Sequence, residues 1–461
     1  MQIKKLVSAT QGWSRAHIFV FAATGAAVGL GNVWKFPSLL ADHGGSAFLL
    51  VYVACLLLIS WPLLILEVLV GRASKGSIVE AIGQLARSHG LSPRWGWIGV
   101  SASLAGLMLS ALYTVVAGWV LYFTWRMASG AFVAMPQGDV KTEFVGLLAN
   151  WNDLLFWQTA FVGLLVAVAA SGVVRGMAHV VSLLVTLMFV VLAIMLGFGL
   201  TTGEVLVASE RLLAFRVEQL SFEAVLLALG QAFFTLSLGM GSMMVFGAYM
   251  PKGSSLGLNA FKVVFLDLAI AVALSVLVVA LVTKADLNLT SGPELLFVAL
   301  PSAFGAIEAG QMFGVVFYFL VVLIAWTSAL ALLEPTIAWW MQRFDLNRLV
   351  ASFIAAYAAW MVGVLALSSF NLLSGWKVAG LSLFNLVDFL VANVLLPLSA
   401  FALAILAGWL VSPLSLKQLH QFTFRWGFAL WFYALKFAVP VALVSIFSFN
   451  LLQKLALSSA S

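Results

Sequence analysis

A single carboxylate, Asp267, stands inside the apolar run Val263-Val-Phe-Leu-Asp-Leu-Ala-Ile-Ala271. An acid at that depth costs about 2.5–3.5 kcal/mol on membrane-insertion scales, so functional use is the default reading. Two adjacent hydroxyls, Thr327-Ser328, sit in a second apolar run and offer oxygens of the kind a hard cation takes. Two stretches are rich in glycine: Gly25-Ala-Ala-Val-Gly-Leu-Gly-Asn32, continuing Val-Trp-Lys-Phe-Pro37, and Gly230-Gln-Ala-Phe-Phe-Thr-Leu-Ser-Leu-Gly-Met-Gly241. Glycine costs a helix interior about 1 kcal/mol relative to alanine, and clustered glycines invite unwinding. Unwound backbone survives at membrane depth only where it is buried in protein or lines a cavity. There its N–H groups and half-helix positive ends can hold an anion, and its carbonyls can hold a cation. The chemistry on offer is binding.

Each feature has a plainer reading when taken singly. Gly25-x-x-x-Gly29 fits close helix packing, and Asn32 fits a helix cap at a break. Neighbouring hydroxyls in a helix commonly bond back to the i−4 carbonyl. What separates the readings is where these residues lie in the chain.

The elements that must position them are membrane spans. Of 461 residues only 9% are charged and 63% are hydrophobic, with a mean hydropathy of +1.11. A soluble domain carries roughly 25% charged residues, so a soluble enzyme, a disordered scaffold and a nucleic-acid binder are excluded. One cysteine, Cys55, excludes a disulfide framework and a Cys-based metal cluster. Windows of about 20 apolar residues predict eleven helices, near 16–38, 46–70, 96–126, 153–172, 176–200, 222–249, 258–283, 310–341, 347–369, 381–410 and 427–452. The runs are continuously apolar, which favours helices over a barrel. The first is a full span with no cleavage site after it, which predicts no cleavable signal peptide.

Basic residues set the expected orientation. With the N-terminus inside, the cytoplasmic segments collect Lys4, Lys5, Arg15, Arg72, Lys75, Arg87, Arg94, Arg175, Lys252, Lys262, Arg343, Arg348, Lys417 and Arg425. The opposite loops hold most of the acids, and this asymmetry is the positive-inside pattern. The net charge of +6 is therefore topology, and eleven spans put the C-terminus outside.

The two glycine-rich segments fall in spans 1 and 6, corresponding members of two five-span halves. Interrupted spans at matching positions point to a secondary transporter with its site at the midplane.

At these residues the chain resembles the prokaryotic branch of the neurotransmitter:sodium symporter family. The resemblance runs through Trp13-Ser-Arg15, Gly25–Pro37, Gly44-Gly-Ser-Ala-Phe48, Pro62…Glu67…Gly71-Arg72 and Tyr113-Thr-Val-Val-Ala-Gly-Trp119. It continues through Gly230–Gly241, Asp267, Gly292–Pro301, Thr327-Ser328, Glu334-Pro335, Asp388-Phe389 and Asn393…Pro397. It implies an all-α protein of eleven transmembrane helices in a 5+5 inverted-repeat fold with discontinuous helices 1 and 6. The divisions would be a cytoplasmic segment 1–15, a first repeat 16–200, a second repeat 201–410, and span 11 with a periplasmic C-terminus, 411–461. The setting would be a bacterial cytoplasmic membrane, and the activity sodium-coupled uptake of an amino acid by alternating access.

The resemblance also implies sites. A first sodium would be held by Ala27, Asn32, Thr235 and Asp267, with the substrate carboxylate completing its shell. A second would take carbonyls of Gly25, Val28 and Ile324 with the hydroxyls of Thr327 and Ser328. The substrate carboxylate would meet the N–H groups of Leu30 and Gly31 and the Tyr113 hydroxyl. Its ammonium would meet carbonyls of Ala27, Phe234 and Thr235, near Ser237. Ala26, Leu109, Phe234, Met240, Ser328 and Leu332 would line a side-chain pocket without charge, favouring a neutral, hydrophobic or aromatic L-amino acid. Lys35 and Asp388 would form the extracellular gate above Tyr113 and Phe234; Trp13 and Tyr249 would form the intracellular gate. Tyr52, Gln231, Ser237 and Asp267 match the region where animal relatives hold chloride, and the Asp267 charge predicts no chloride requirement. A protonated Asp267 would also allow H⁺ to leave on the return step.

Three positions depart from the family pattern. Thr10 and Gln342 stand where an inner charge pair is usual, and Thr186 stands where span 5 usually has proline. The competing reading is a sodium-independent amino acid or amine exchanger with the same broken helices. An intramembrane enzyme finds no constellation, because all five histidines fall at span ends or in loops, and no polar ring marks a channel. Lys436, inside span 11, finds no role from sequence.

Overall fold

The computed structural model describes residue 13 and residues 16–74, 76–171, 178–202, 204–251, 253–420 and 425–459. The expected segment 1–15 therefore lies outside the described residues except for Trp13, and Gly176 of span 5 lies outside them too. The described chain is helical. Among the described residues nine single helical rods are long and apolar enough to cross a membrane: Ser46–Ser74, Pro93–Ala128, Trp151–Ala169, Val180–Thr201, Leu256–Lys284, Gly310–Arg343, Arg348–Ser368, Leu383–Leu410 and Gly427–Leu452. Each ends within about a turn of its expected boundary.

The two remaining spans are the glycine-rich ones, and both are broken. Span 1 is Ala16–Ala27 followed by Leu30–Asp42, bent by 57°. Span 6 is Phe222–Thr235 followed by Ser242–Tyr249. Short helices that sequence windows of membrane length do not detect connect the spans, among them Ile78–Arg87, Gln137–Ala149, Glu204–Leu213 and Pro413–His420.

Burial sorts the spans into centre and periphery. Spans 3 and 8 have 78% of their most apolar window buried, against 33% for span 4 and 39% for spans 5, 9 and 11. Spans 3 and 8 also touch through backbone: a Cβ on Gly106 would lie 2.6 Å from the Leu332 carbonyl oxygen. The broken spans 1 and 6 lie against this pair.

Span 2 is fitted to the second half of span 6. A Cβ on Gly71 would lie 1.8 Å from the Met244 carbonyl oxygen, and one on Gly247 would lie 2.4 Å from that of Val68. Only glycine permits this approach from both sides. Glu67, fully buried, accepts a 2.6 Å hydrogen bond from the Gly239 N–H. It thereby satisfies backbone that the break in span 6 sets free, as expected for an acid placed opposite an unwound segment.

The spans are not uniform α-helix. Wide π-type turns occur at Leu56–Ser60, Leu295–Ala299, Leu390–Leu395, Leu406–Leu410 and Ala434–Ala438. Such turns concentrate near functional sites. Span 5, by contrast, runs unbroken through Thr186, whose hydroxyl bonds back to the Ser182 carbonyl at 2.8 Å.

Candidate functional site

The break in span 1 falls at Val28–Gly29, between the two half-helices. The Tyr113 hydroxyl of span 3 comes so close that a Cβ on Gly29 would lie 2.5 Å from it. Span 6 leaves the helix after Thr235 and restarts at Ser242, with Ser237, Gly239 and Gly241 at φ of +52°, +77° and +79°. Left-handed backbone is cheap for glycine and costly for serine. Ser237 is held there by donating to the Ala26 carbonyl at 2.9 Å, so each break braces the other.

Three side chains from spans 1, 6 and 7 meet at this joint. Asn32 Nδ2 donates to Asp267 Oδ1 at 2.9 Å. The Thr235 hydroxyl lies 2.9 Å from Asp267 Oδ2 and 3.1 Å from Asn32 Oδ1. All three residues are buried, Asp267 completely. The Thr235 hydroxyl has one proton for two acceptors, so the cluster holds more oxygen lone pairs than protons to fill them. A small hard cation is the group that resolves such a surplus.

A second oxygen cluster joins span 8 to the start of the same break. Ser328 Oγ lies 2.8 Å from the Val28 carbonyl and 3.5 Å from that of Gly25. Thr327 Oγ1 lies 3.0 and 3.1 Å from the carbonyls of Leu323 and Ile324. The back-bonding reading for these hydroxyls holds for Thr327, while Ser328 reaches across to span 1. The five oxygens expected around a second cation, from Gly25, Val28, Ile324, Thr327 and Ser328, are thus brought into one neighbourhood.

Between the breaks lies a small cavity. It is lined by Ala27, Gly29, Gly31, Asn32, Leu109, Tyr113, Gln231, Phe234, Thr235, Ser237, Met240 and Leu332. Nine of these were expected in a substrate site. Asn32 and Gln231 were expected in neighbouring roles, and Gly29 was not expected to line it. Ala26, Leu30 and Ser328 do not line the cavity: Ala26 and Leu30 are buried, and Ser328 points to the oxygen cluster beside Val28. No charged side chain lines it. Tyr52, expected near Gln231 and Asp267, is buried with its ring 4.8 Å from that of Phe36.

The two ends of the site differ. At the N-terminal end Trp13 is buried, its backbone N–H donating to the Tyr249 carbonyl at 2.8 Å. Its ring packs between Phe246 and Tyr249 at 5.9 Å and Phe19 at 6.3 Å. Nearby, Arg348 grips Glu334 with two bonds of 2.8 and 2.7 Å and donates to the Ala169 carbonyl at 3.0 Å. Gln342 accepts from the Ser77 N–H at 3.0 Å, a neutral link where a charge pair is usual. At the other end Lys35 and Asp388 are both exposed, and the ion pairs found among the described residues run between other groups. One end is sealed by packing and the other is not closed by its charges.

The profile of the family described as the sodium:neurotransmitter symporter family matches residues 10–134 and 139–460. The chain belongs to this family. Its members are secondary transporters, not enzymes, and the family and its relatives' names carry sodium dependence. Among relatives, "Uncharacterized sodium-dependent transporter YhdH" of Bacillus subtilis (strain 168) is 31% identical over 443 residues, covering 94% of this chain and 96% of that one. The human sodium-dependent neutral amino acid transporter SLC6A17 is 27% identical over 305 residues, 58% of this chain and 40% of that one. Among solved structures, MhsT in complex with L-phenylalanine superposes with a TM-score of 0.84 at 32% identity, covering 95% of this chain and 99% of that one. The fold is thus the family's multi-pass 5+5 inverted repeat with helices 1 and 6 discontinuous.

Proposed function

We propose that this protein takes up a neutral, hydrophobic or aromatic L-amino acid together with sodium, by alternating access, across a bacterial cytoplasmic membrane. The observation that carries the reading is a shared wall. Asn32 and Thr235 line the cavity and also belong to the oxygen cluster with Asp267. A carboxylate in the cavity would stand beside the first sodium and complete its shell, so each ligand would bind better with the other present. The first sodium takes Ala27, Asn32, Thr235 and Asp267; the second takes Gly25, Val28, Ile324, Thr327 and Ser328. Binding energy at these sites couples the sodium gradient to uphill uptake.

Leu109, Phe234, Met240 and Leu332 supply the apolar wall, where a charged side chain would be left unpaired. The phenylalanine bound to MhsT and the neutral amino acid named for SLC6A17 support the same substrate class. Asp267 supplies the negative charge near Tyr52, Gln231 and Ser237, so chloride is not required. The distribution of basic residues supports a cytoplasmic N-terminus and a C-terminus outside, with Trp13 and Tyr249 as inner gate and Lys35 and Asp388 as outer gate.

The test is uptake of a radiolabelled amino acid panel into proteoliposomes under an inward sodium gradient. Accumulation of one or a few large apolar amino acids in sodium, and none in potassium, is expected. Equal uptake in sodium and potassium would replace this reading with a sodium-independent carrier.

A further inference from the structure

Lys436 lies in span 11, at the wide turn Ala434–Ala438, and the ion-pair and oxygen clusters described above leave it out. Its ammonium stands 4.6 Å above the Trp409 ring, 5.7 Å from Phe437 and 6.0 Å from Phe432. The Trp409 indole N–H donates to the Lys436 carbonyl at 3.1 Å, which fixes the ring beneath the charge. The wide turn Leu406–Leu410 of span 10 faces the one in span 11, and a Cβ on Gly408 would lie 3.1 Å from the Lys436 Cα. Among the described residues no carboxylate forms an ion pair with Lys436. An aromatic face offsets part of an ammonium's charge but accepts none of its three N–H bonds well. Trp409 is 54% exposed at the end of span 10.

Farther along the same two spans lies an apolar groove of about 290 Å³. Its walls are Leu398, Phe401, Val444 and Phe447, with Val394 and Leu443 beside them. Val444 and Phe447 follow Lys436 by eight and eleven residues, and Phe401 and Leu398 precede Trp409 by eight and eleven. Phe401 with Leu398, and Val444 with Phe447, are three residues apart and so share one face of each helix. At 1.5 Å per residue, Lys436 to Phe447 spans about 16 Å. Half of a bilayer's hydrocarbon core is about 15 Å.

We propose that Lys436, Trp409 and this groove form a binding site for one anionic phospholipid, its phosphate at the ammonium and one acyl chain along Phe401, Leu398, Val444 and Phe447. The cation selects the headgroup, because a zwitterionic lipid brings its own ammonium to the phosphate. The groove selects a lipid over a free phosphate, because only an acyl chain removes its walls from looser lipid contact.

Full-length protein in detergent is mixed with equal amounts of dioleoyl phosphatidylglycerol and dioleoyl phosphatidylcholine, and bound lipid is counted by native mass spectrometry. One phosphatidylglycerol is expected to be retained about fivefold over phosphatidylcholine, the order that one lysine at an anionic surface provides. Lys436→Gln should bring the two lipids to parity, and Lys436→Arg should keep the preference, which guards against a folding defect. Val444→Trp, filling the groove, should abolish the retained lipid, and excess glycerol phosphate should not displace it from wild type. Equal retention of both lipids by wild type, a preference unchanged in K436Q or V444W, or displacement by glycerol phosphate would each overturn the proposal.

Discussion

Asn32 donates a hydrogen bond to Asp267 at 2.9 Å, so the break in span 1 is tied directly to the carboxylate in the middle of span 7. With Thr235 as the third corner, a fully buried acid is held by two neutral groups and faces the cavity wall they form. Asp267→Asn keeps the shape and removes the charge. Losing one partner of a buried charge pair typically costs 2–5 kcal/mol, so sodium-dependent substrate binding is expected to fall by at least about 30-fold. Scintillation-proximity binding across a sodium titration reads this; wild-type sodium dependence in Asp267→Asn would remove the residue from the ion site.

Ser328 reaches from span 8 to the Val28 carbonyl, whereas Thr327 bonds within its own helix. Ser328→Ala is therefore expected to raise the half-saturating sodium concentration about tenfold, the equivalent of one hydrogen bond or ligand oxygen. Thr327→Val should have the smaller effect in the present arrangement of the hydroxyls. A reversed order in the same titration would show that Thr327 rotates to become the principal ligand.

The proposed chloride independence rests on the Asp267 carboxylate standing near Tyr52. Sodium-driven uptake with gluconate replacing chloride on both sides of the membrane is expected to stay within about twofold of the chloride rate, less than 0.5 kcal/mol of effect. An obligatory need for chloride would show that the carboxylate does not stand in for the anion.

Lys35 and Asp388 are exposed and form no ion pair among the described residues in this conformation. Lys35→Ala should leave the substrate affinity of the open site within about threefold, since exposed charge pairs contribute about 0–1 kcal/mol. Turnover should fall by more than that, because closure is the step in which the pair would meet. Equal losses in binding and turnover would mean that Lys35 acts on the site itself.

Gly71→Ala and Gly247→Ala each insert a methyl group against backbone carbonyl oxygen. Each is expected to lower stability by about 1–3 kcal/mol, the usual range for overpacking, read as a lower midpoint in thermal unfolding monitored by size-exclusion chromatography.

The spans and the two breaks were legible because a membrane prices charge and glycine steeply, and Asp267 stands out against its eight apolar neighbours in Val263–Ala271 for the same reason. The exact cavity wall was not. Ala26 and Leu30 flank an unwound joint, where helical phase no longer tells which side chain turns inward. The environment of Lys436 was hidden for a related reason: wide turns in spans 10 and 11 shift the register on both sides, and only their meeting at Gly408 sets the ammonium over Trp409. The partner of Glu334 was hidden by distance along the surface of the bundle, since several bases border that end and only packing selects Arg348.

The glycine contacts between span 2 and Ser242–Tyr249 leave no slack. With Gly71 against the Met244 carbonyl, Gly247 against that of Val68, and Glu67 clasping Gly239, neither helix can rotate alone without driving backbone into backbone. A swing of the inner half of span 6 is therefore inherited by span 2. Leu57 and Leu58, on the outward surface of span 2, would sweep through the surrounding lipid with every cycle, so the stiffness of the bilayer becomes a resistance that the transport stroke has to overcome.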